Sequence, residues 1–513
     1  MSTFRAYLLS ILSAVVMSVA WWFPGSSSCA VLGWLSTLLL VAAVRSPALS
    51  YGSISVYGFI TNCLGFYWLF ATIKGFGGFD YFAASLIFLL FVVASANQQL
   101  IFLFLYRRLP GFFSKSALGI ACAWLTAELI SVRIFPWSLG HTQLAFLPLT
   151  QIVDVLGTPT LAFLMLWSSE AAWRLIVEKE RRRILAAPFV VLAACLIYGA
   201  ERVSHFSTPL ADKVAVTLIQ ANISVAEKHN IKYFERNKER YVELSTAAAK
   251  PNSLVIWPES VITDFIFDGV NSVTQDRRLP FLGDNVGLLV GALTYRSQSE
   301  IFNSALAILP DGKIAQPYHK RILMPFGEFT PFASTFPWLK EINATAGEFT
   351  PGSAVSIFDY RFDDPARKAA KVSPLICYED IVPSLGRAAT EAGANVLVNI
   401  TNDAWFGDSV APYQHHLIAA FRAVENRRFL VRSTNSGLTA IVDPLGQTVA
   451  QLKPFSDGVL NYDVGLPQER SLYTSLFGDA LWWALSALVC LCGLLKLPSF
   501  RQKDHVSASR KNV

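Results

Sequence analysis

Apolar positions are arranged in two ways along this chain. From Phe4 to Ala200, and again from Gly478 to Leu497, they run almost unbroken, whereas Asp212 to Gln468 mixes apolar and polar positions as a soluble domain does. A membrane-spanning helix needs about 20 consecutive apolar residues. Seven candidate segments precede the mixed region: Ala6 to Phe23, Ala30 to Val44, Val56 to Ile73, Tyr81 to Tyr106, Ala117 to Phe135, Thr160 to Val177 and Ile184 to Ala200. An eighth, Ala480 to Leu497, follows it, and Ala30 to Val44 is short for a span on its own.

The basic residues assign a direction to these segments, because positive charge stays on the cytoplasmic side. Arg5 precedes the first segment, Arg45 follows the second, Arg107, Arg108 and Lys115 follow the fourth, and Lys179, Arg181, Arg182 and Arg183 follow the sixth. Lys496, Arg501, Lys503, Arg510 and Lys511 follow the eighth. Every second loop is basic, which predicts eight spans, both termini in the cytoplasm, and Glu201 to Tyr473 outside, in the periplasm of a two-membrane cell. A signal peptide is the other reading of the first segment, but no small-residue cleavage site follows it and further spans do. The expected divisions are a seven-helix transmembrane region over 1–205, an extracytoplasmic domain over 206–473, an eighth helix over 474–497 and a basic tail over 498–513.

Glu128, Arg133, Asp154 and Glu170 lie in or beside the apolar segments. An ionisable group at membrane depth is a functional candidate by default. The plainer expectation is that Glu128 and Arg133 pair with each other near the outer surface.

The mixed region predicts alternating strands and helices. Strand-like runs are Val214 to Ile219, Leu254 to Trp257, Val286 to Thr294, Ser304 to Leu309, Ile314 to Pro317, Val372 to Cys377, Val396 to Ile400, Leu430 to Ser433 and Thr439 to Val442. Helical stretches are Ile231 to Ala249, Ser384 to Ala392 and Gln414 to Asn426. Asp311-Gly312 and Pro444-Leu445-Gly446 are hairpin turns. The fold class is therefore a membrane α-helical bundle joined to an α/β layered domain, in which functional groups gather at the carboxyl ends of strands.

Composition agrees with the pattern. Of 513 residues 53% are hydrophobic and 16% charged, and the mean hydropathy is +0.41, which excludes a wholly soluble globular protein. The formal charge of +6 is accounted for by the basic loops, so it gives no reason to expect nucleic acid. His415 and His416 are adjacent, and their side chains diverge on a strand or sit about 100° apart on a helix. With no CxxC spacing and no ligand cluster, neither a metal nor a cofactor is expected.

Six of the seven cysteines, Cys29, Cys63, Cys122, Cys195, Cys490 and Cys492, fall in the apolar parts. Cys377 is alone between Cys195 and Cys490, so it is either a small buried hydrophobe or a nucleophile. Two other ionisable residues share its setting beyond an apolar run or in a sharp loop: Glu259 in Ile-Trp-Pro-Glu-Ser and Lys320 in Pro-Tyr-His-Lys-Arg-Ile-Leu. Each alone reads as a cap, a solvated charge or a core thiol. Their occurrence together, in this order and with these flanks, is what points to chemistry.

The ordered Glu259, Lys320 and Cys377 resemble the triad of the nitrilase superfamily of carbon-nitrogen hydrolases. The resemblance narrows to the apolipoprotein N-acyltransferase family on Trp257-Pro258-Glu259, on Tyr318-His319-Lys320 running into Pro325-Phe326-Gly327-Glu328, on Cys377-Tyr378-Glu379, and on Thr401-Asn402-Asp403-Ala404-Trp405-Phe406-Gly407. That family carries a nitrilase-like αββα domain inserted before the last of eight membrane helices, so the likeness covers essentially the whole chain. It implies that an acyl chain passes from a membrane phospholipid to Cys377 as a thioester. The α-amine of the diacylglyceryl-modified N-terminal cysteine of an apolipoprotein then takes it. The implied setting is the bacterial inner membrane, with the protein a monomer.

In the implied chemistry Glu259 is the base for the thiol and Lys320 the positive charge beside thiolate and oxyanion. Glu328 and Glu379 stand at positions the family treats as essential, as supports for Lys320 and the thiol loop, and Tyr378 packs or bonds beside the nucleophile. A cap on the helix near Ser384 is the other expectation for Glu379. Trp405 and Phe406, with the aromatic loop from Phe326 to Trp338, are candidates for lining an acyl-chain entrance. One departure stands out: Gln220-Ala221-Asn222-Ile223 has Ala221 where the family has Gly, and His229, a further substrate-binding candidate, stands where it has Trp. A membrane-anchored amidase acting on a small amide is the competing enzyme reading, and a transporter or receptor with a merely binding domain is the non-catalytic one.

Overall fold

The computed structural model describes residues 3–228, 230–342, 347–363 and 368–494. His229, Lys496 and the basic tail over 498–513 lie outside the described residues.

The apolar segments fold as helices of unequal length. Thr3–Trp21, Ser27–Val44, Tyr81–Tyr106 and Arg183–Phe206 are each long and apolar enough to cross a bilayer. Tyr51–Gly65 with Trp68–Gly75, bent by 60°, and Leu147–Leu156 with Pro159–Ile176, bent by 119°, qualify only as broken pairs. Gly119–Ile130 and Ala480–Leu494 are shorter apolar helices. Length and composition thus give four spans among the described residues, or six with the broken pairs, rather than the expected eight. The fifth segment stops early because Arg133 folds back on it: its guanidinium donates to the carbonyl of Glu128 at 2.8 Å, at the helix end where carbonyls lack intrahelical partners. The expected contact between Arg133 and Glu128 is therefore made through the Glu128 backbone, while the Glu128 carboxylate accepts from Trp124 Nε1 at 3.2 Å.

The polar region builds two sheets. The strands β1 Lys213–Gln220, β2 Ser253–Ile256, β3 Ile262–Phe267, β4 Val286–Ser297, β5 Glu300–Ile308 and β6 Tyr318–His319 belong to the first. The strands β7 Phe358–Tyr360, β8 Ala370–Ile376, β9 Val396–Thr401, β10 Phe429–Thr434, β11 Ala440–Val442 and β12 Thr448–Gln451 form the second, and β13 Gly458–Gly465 returns to pair with β1. The strand orders are β13-β1-β2-β4-β5-β6, with β3 beside β4, and β12-β11-β10-β9-β8-β7.

Side-chain alternation creates the layers. Leu254 and Ile256 of β2 face the second sheet and join Val372, Ile376, Val396, Val398 and Val431 in one core. Val255 and Trp257 point the other way, toward Tyr241 of the helix Phe234–Ala248. On the far side of the second sheet, Leu397 and Leu430 pack against the helix Ala411–Asn426, whose core continues without a break into the membrane bundle. The result is an αββα sandwich with one outer helix layer docked on the bundle.

Three expectations change. Ile314 to Pro317 is no strand but a single bridge from Ile314 to Ile308, and Pro317, lacking an N–H, cannot extend the pairing. β3, β6, β7, β12 and β13 are strands that local pattern does not reveal, and β13 is half exposed and takes its register from β1, more than 200 residues earlier. Asp154 has its partner in the soluble domain. Arg427 sends Nη2 to Asp154 Oδ2 at 2.6 Å and Nη1 to Gln151 Oε1 at 2.6 Å, and both charged side chains are buried. Arg427→Met removes the closer of the two cations on buried Asp154, leaving Arg202 Nε at 3.7 Å from Oδ2, so a stability loss of about 2–4 kcal/mol is expected. A lowered thermal-unfolding midpoint in detergent reads it.

Candidate active site

Three loops meet at the carboxyl ends of the strands. After β2 the chain turns sharply: Trp257 N donates to Leu289 O at 2.8 Å, and Gly291 N donates to Pro258 O at 3.1 Å. This brings the Glu259 loop against bare backbone. A Cβ at Gly291 would lie 2.4 Å from Pro258 O and 2.6 Å from Glu259 Cα. Gly291→Ala must therefore push Glu259 out of place, and a loss of activity of about tenfold or more is expected at a stability cost of about 1–3 kcal/mol. Activity per folded molecule, with folding checked by thermal unfolding, measures it.

Lys320 follows β6 and is buried. Its Nζ lies 2.7 Å from Glu328 Oε2 and 3.4 Å from Glu259 Oε1. Burial works against its charge, but the Glu328 and Glu259 carboxylates prevail and hold its pKa above the ordinary lysine value. Asn303 of β5 ties the two acids together, donating from Nδ2 to Glu259 Oε1 at 2.8 Å and to Glu328 Oε1 at 2.7 Å. Glu328 Oε2 also accepts from Met324 N at 2.8 Å.

Cys377 ends β8 and opens the turn Cys377–Ile381 with φ of +51°, an uncommon and strained conformation for a residue with a side chain. Asn399 Nδ2 holds the turn through the carbonyls of Leu375 and Cys377, at 3.1 and 3.0 Å. Burial, then the Glu259 charge, raise the thiol pKa, while Lys320 lowers it, with a net rise. The resting thiol is thus protonated, and a base must take its proton before it can attack. The same three groups perturb one another electrostatically, which shows that the loops bring them together.

Glu379 joins the thiol loop to the lysine loop. Oε1 accepts from Arg321 N at 2.6 Å and Ile322 N at 3.1 Å, while Oε2 accepts from Ile376 N and Tyr318 Oη, both at 2.8 Å. It therefore does not cap the helix Pro383–Glu391, as the other expectation had it. Tyr378 turns toward the bundle and donates to Ile134 O at 2.6 Å. Phe406 packs edge-on against Trp68 of the broken helix, ring centroids 4.9 Å apart, and Trp405 beside it is half-buried. Phe326, Phe332, Phe336 and Trp338 project from the soluble domain with about half or more of their surface exposed.

Two groups of the site escape sequence reasoning. Asn303 is one polar residue in a β-strand, and only the pairing of Ser304 with His319 brings it beside Lys320. Lys228 is buried and donates to the Glu259 carbonyl at 2.7 Å; burial lowers its pKa to about 8, against the pull of Glu259 and Cys377. The signal for Lys228 was its place next to His229, in the loop already marked as a departure.

A two-sheet sandwich with Glu, Lys and Cys at its strand ends is the architecture of a carbon-nitrogen hydrolase, and the family model of that description matches residues 215–473. A second family model, described as the apolipoprotein N-acyltransferase N-terminal domain, matches residues 13–171. The apolipoprotein N-acyltransferase of Geobacter metallireducens is 31% identical over 98% of this chain and 96% of its own length. That of Haemophilus influenzae is 29% identical over 96% and 95%. Among solved structures, the nitrilase-superfamily protein Nit3 of Saccharomyces cerevisiae aligns over 50% of this chain and 91% of its own at 18% identity, with a TM-score of 0.38. The chain belongs to the apolipoprotein N-acyltransferase family.

Proposed function

We propose that this enzyme moves an acyl chain from a membrane phospholipid, through a thioester on Cys377, to the N-terminal amine of a diacylglyceryl-modified apolipoprotein. The observation that carries the reading is the joining of a buried Glu259–Lys320–Cys377 site to an apolar bundle through one continuous core. Both substrates are lipids or lipid-anchored, so a site that meets acyl chains needs such a mount.

In the first half-reaction Glu259 takes the thiol proton and the thiolate attacks the ester carbonyl carbon. Lys320, held cationic by its two carboxylates, stabilises the oxyanion together with a backbone N–H beside Cys377. The C–O bond then breaks, Glu259 returns the proton to the leaving oxygen, and lysophospholipid departs. In the second half the acceptor amine attacks the thioester, Glu259 takes its proton, and that proton goes to the departing Cys377 sulfur. Asn303 and Glu328 keep Glu259 and Lys320 in register, and Glu379 fixes the thiol loop against the lysine loop. The exposed aromatics from Phe326 to Trp338, with Trp405 and Phe406, are the proposed acyl-chain entrance.

The basic loops support a catalytic domain on the outer face with both termini cytoplasmic and the divisions given above; family membership supports a bacterial inner-membrane setting, with that face the periplasm, and the proposed state is a monomer. Incubation with phospholipid and a diacylglyceryl-cysteine peptide should add one acyl chain to the peptide, and prior acetylation of its α-amine should block the gain. Ammonia release from a small amide, with no acyl gain on the peptide, would instead select the amidase.

A further inference from the structure

The helix Ala411–Asn426 connects the nucleophile's turn to the membrane bundle through neighbouring residues. On the bundle side, Gln414 Nε2 donates to Trp21 O at 3.0 Å and Gly65 O at 3.1 Å, and its Oε1 accepts from Trp68 Nε1 at 2.9 Å. These contacts stitch the break between Tyr51–Gly65 and Trp68–Gly77. On the catalytic side, His415 lies between two carboxylates. Its Nε2 is 2.8 Å from Asp380 Oδ1, in the turn Cys377–Ile381, and its Nδ1 is 3.1 Å from Asp403 Oδ1.

Both aspartates are wholly buried, and each ring nitrogen faces a carboxylate oxygen. A neutral imidazole has one N–H and can serve one of them, whereas imidazolium serves both. Burial opposes that charge, and Arg432 adds to the opposition, yet Asp380 and Asp403 raise the His415 pKa to about 9. Arg432 Nε binds the other oxygen of Asp380 at 3.0 Å. The Phe406 ring stands edge-on to the imidazole, and the adjoining His416 turns away to Thr448 Oγ1 at 2.8 Å. Asp403 continues the chain of bonds inward. It accepts from Thr401 Oγ1 at 3.4 Å, at the end of β9, the strand paired with the one that leads into Cys377. Gly437 leaves room for this, since a Cβ there would lie 2.3 Å from Asp403 Oδ2.

We propose that His415, as a cation clamped between Asp380 and Asp403, is a positioning residue that holds the strained Cys377 turn in its reactive conformation and anchors it, through the same helix, to the bundle. A residue held at positive φ persists only where its surroundings over-determine it, and the clamp holds the turn through Asp380 on the chain itself and ties it, through Asp403 and Thr401, to β9, the strand beside the one that ends at the turn. The inference rests on Cys377 being the acyl carrier.

The test compares parent enzyme, His415→Gln, Asp403→Asn and the double variant. Two rates are read per folded molecule: thioester formation from phospholipid, and alkylation of Cys377 by iodoacetamide across pH. His415→Gln is expected to slow both by about 10–100-fold. The double variant should be no slower than the slower single one, because both changes open the same clamp. Rates within twofold of the parent for folded His415→Gln, or losses that multiply in the double variant, would overturn the proposal. Should His415→Gln fail to accumulate folded, Asp403→Asn decides by the same criterion. A parent that is alkylated but forms no thioester overturns the acyl-carrier reading instead, and the alkylation comparison still decides the role of His415.

Discussion

Cys377→Ala is expected to reduce acyl transfer to background, a fall of at least about a thousandfold, while leaving the fold intact. The magnitude follows from the absence of a substitute. Cys377 carries the site's thiol at the end of β8, and the other six cysteines are dispersed through the apolar helices. Loss of the Sγ removes the atom on which the thioester forms, so both half-reactions stop together. The small side chain keeps the turn's backbone bonds to Asn399, and thermal unfolding of the variant should stay close to that of the parent. Transfer from labelled phospholipid to the diacylglyceryl-cysteine peptide is the assay, and more than a trace of product would remove Cys377 from its role.

Glu259→Gln is expected to lower the rate of thioester formation by about 10²–10⁴-fold. The amide keeps the shape of the side chain and an acceptor for Asn303 Nδ2, but it can neither take the thiol proton nor return one to the leaving oxygen. The demand on Glu259 is high because the thiol, half-buried beside the Glu259 charge, has a raised pKa and does not ionise unaided near neutrality. The substitution also removes one of the two carboxylates that hold Lys320 cationic, leaving Glu328 at 2.7 Å as the closer one. Alkaline pH should therefore recover part of the lost rate as hydroxide replaces the base, and a variant forming thioester at the parent's rate at neutral pH would exclude Glu259 as the base of the first step.

The catalytic domain's layers were legible because their cause is local. Leu254, Val255, Ile256 and Trp257 alternate faces in the sequence as they do in the sandwich. Glu259, Lys320 and Cys377 could be picked out because each lies beyond an apolar run or in a sharp loop and because their order and flanks resemble a known family. Of the supporting shell, Glu328 and Glu379 were legible through the same resemblance, while Asn303 and Lys228 were not, since they meet the site only through the fold. Asn303 matters through a register set by β5 and β6, and Asp154 reads as an isolated membrane charge until Arg427, 273 residues later, folds onto it. The adjacent histidines carried no metal signal, and the two carboxylates that give His415 its setting come from a turn and a loop elsewhere in the chain. Hydropathy identified where the helices form but not how they break. The 60° bend near Gly65 is held in part by Gln414 of the soluble domain, and the end of Gly119–Ile130 by Arg133.

The central claim is that Cys377 carries the acyl chain, and intact-mass measurement of the purified enzyme after incubation with phospholipid alone tests it most directly. The account predicts a mass gain of one acyl chain, its loss on treatment with hydroxylamine, its localisation to the peptide containing Cys377, and an equal amount of released lysophospholipid. An enzyme that gains no mass yet goes on to acylate the diacylglyceryl-cysteine peptide, or one whose adduct maps to any other residue, would contradict it.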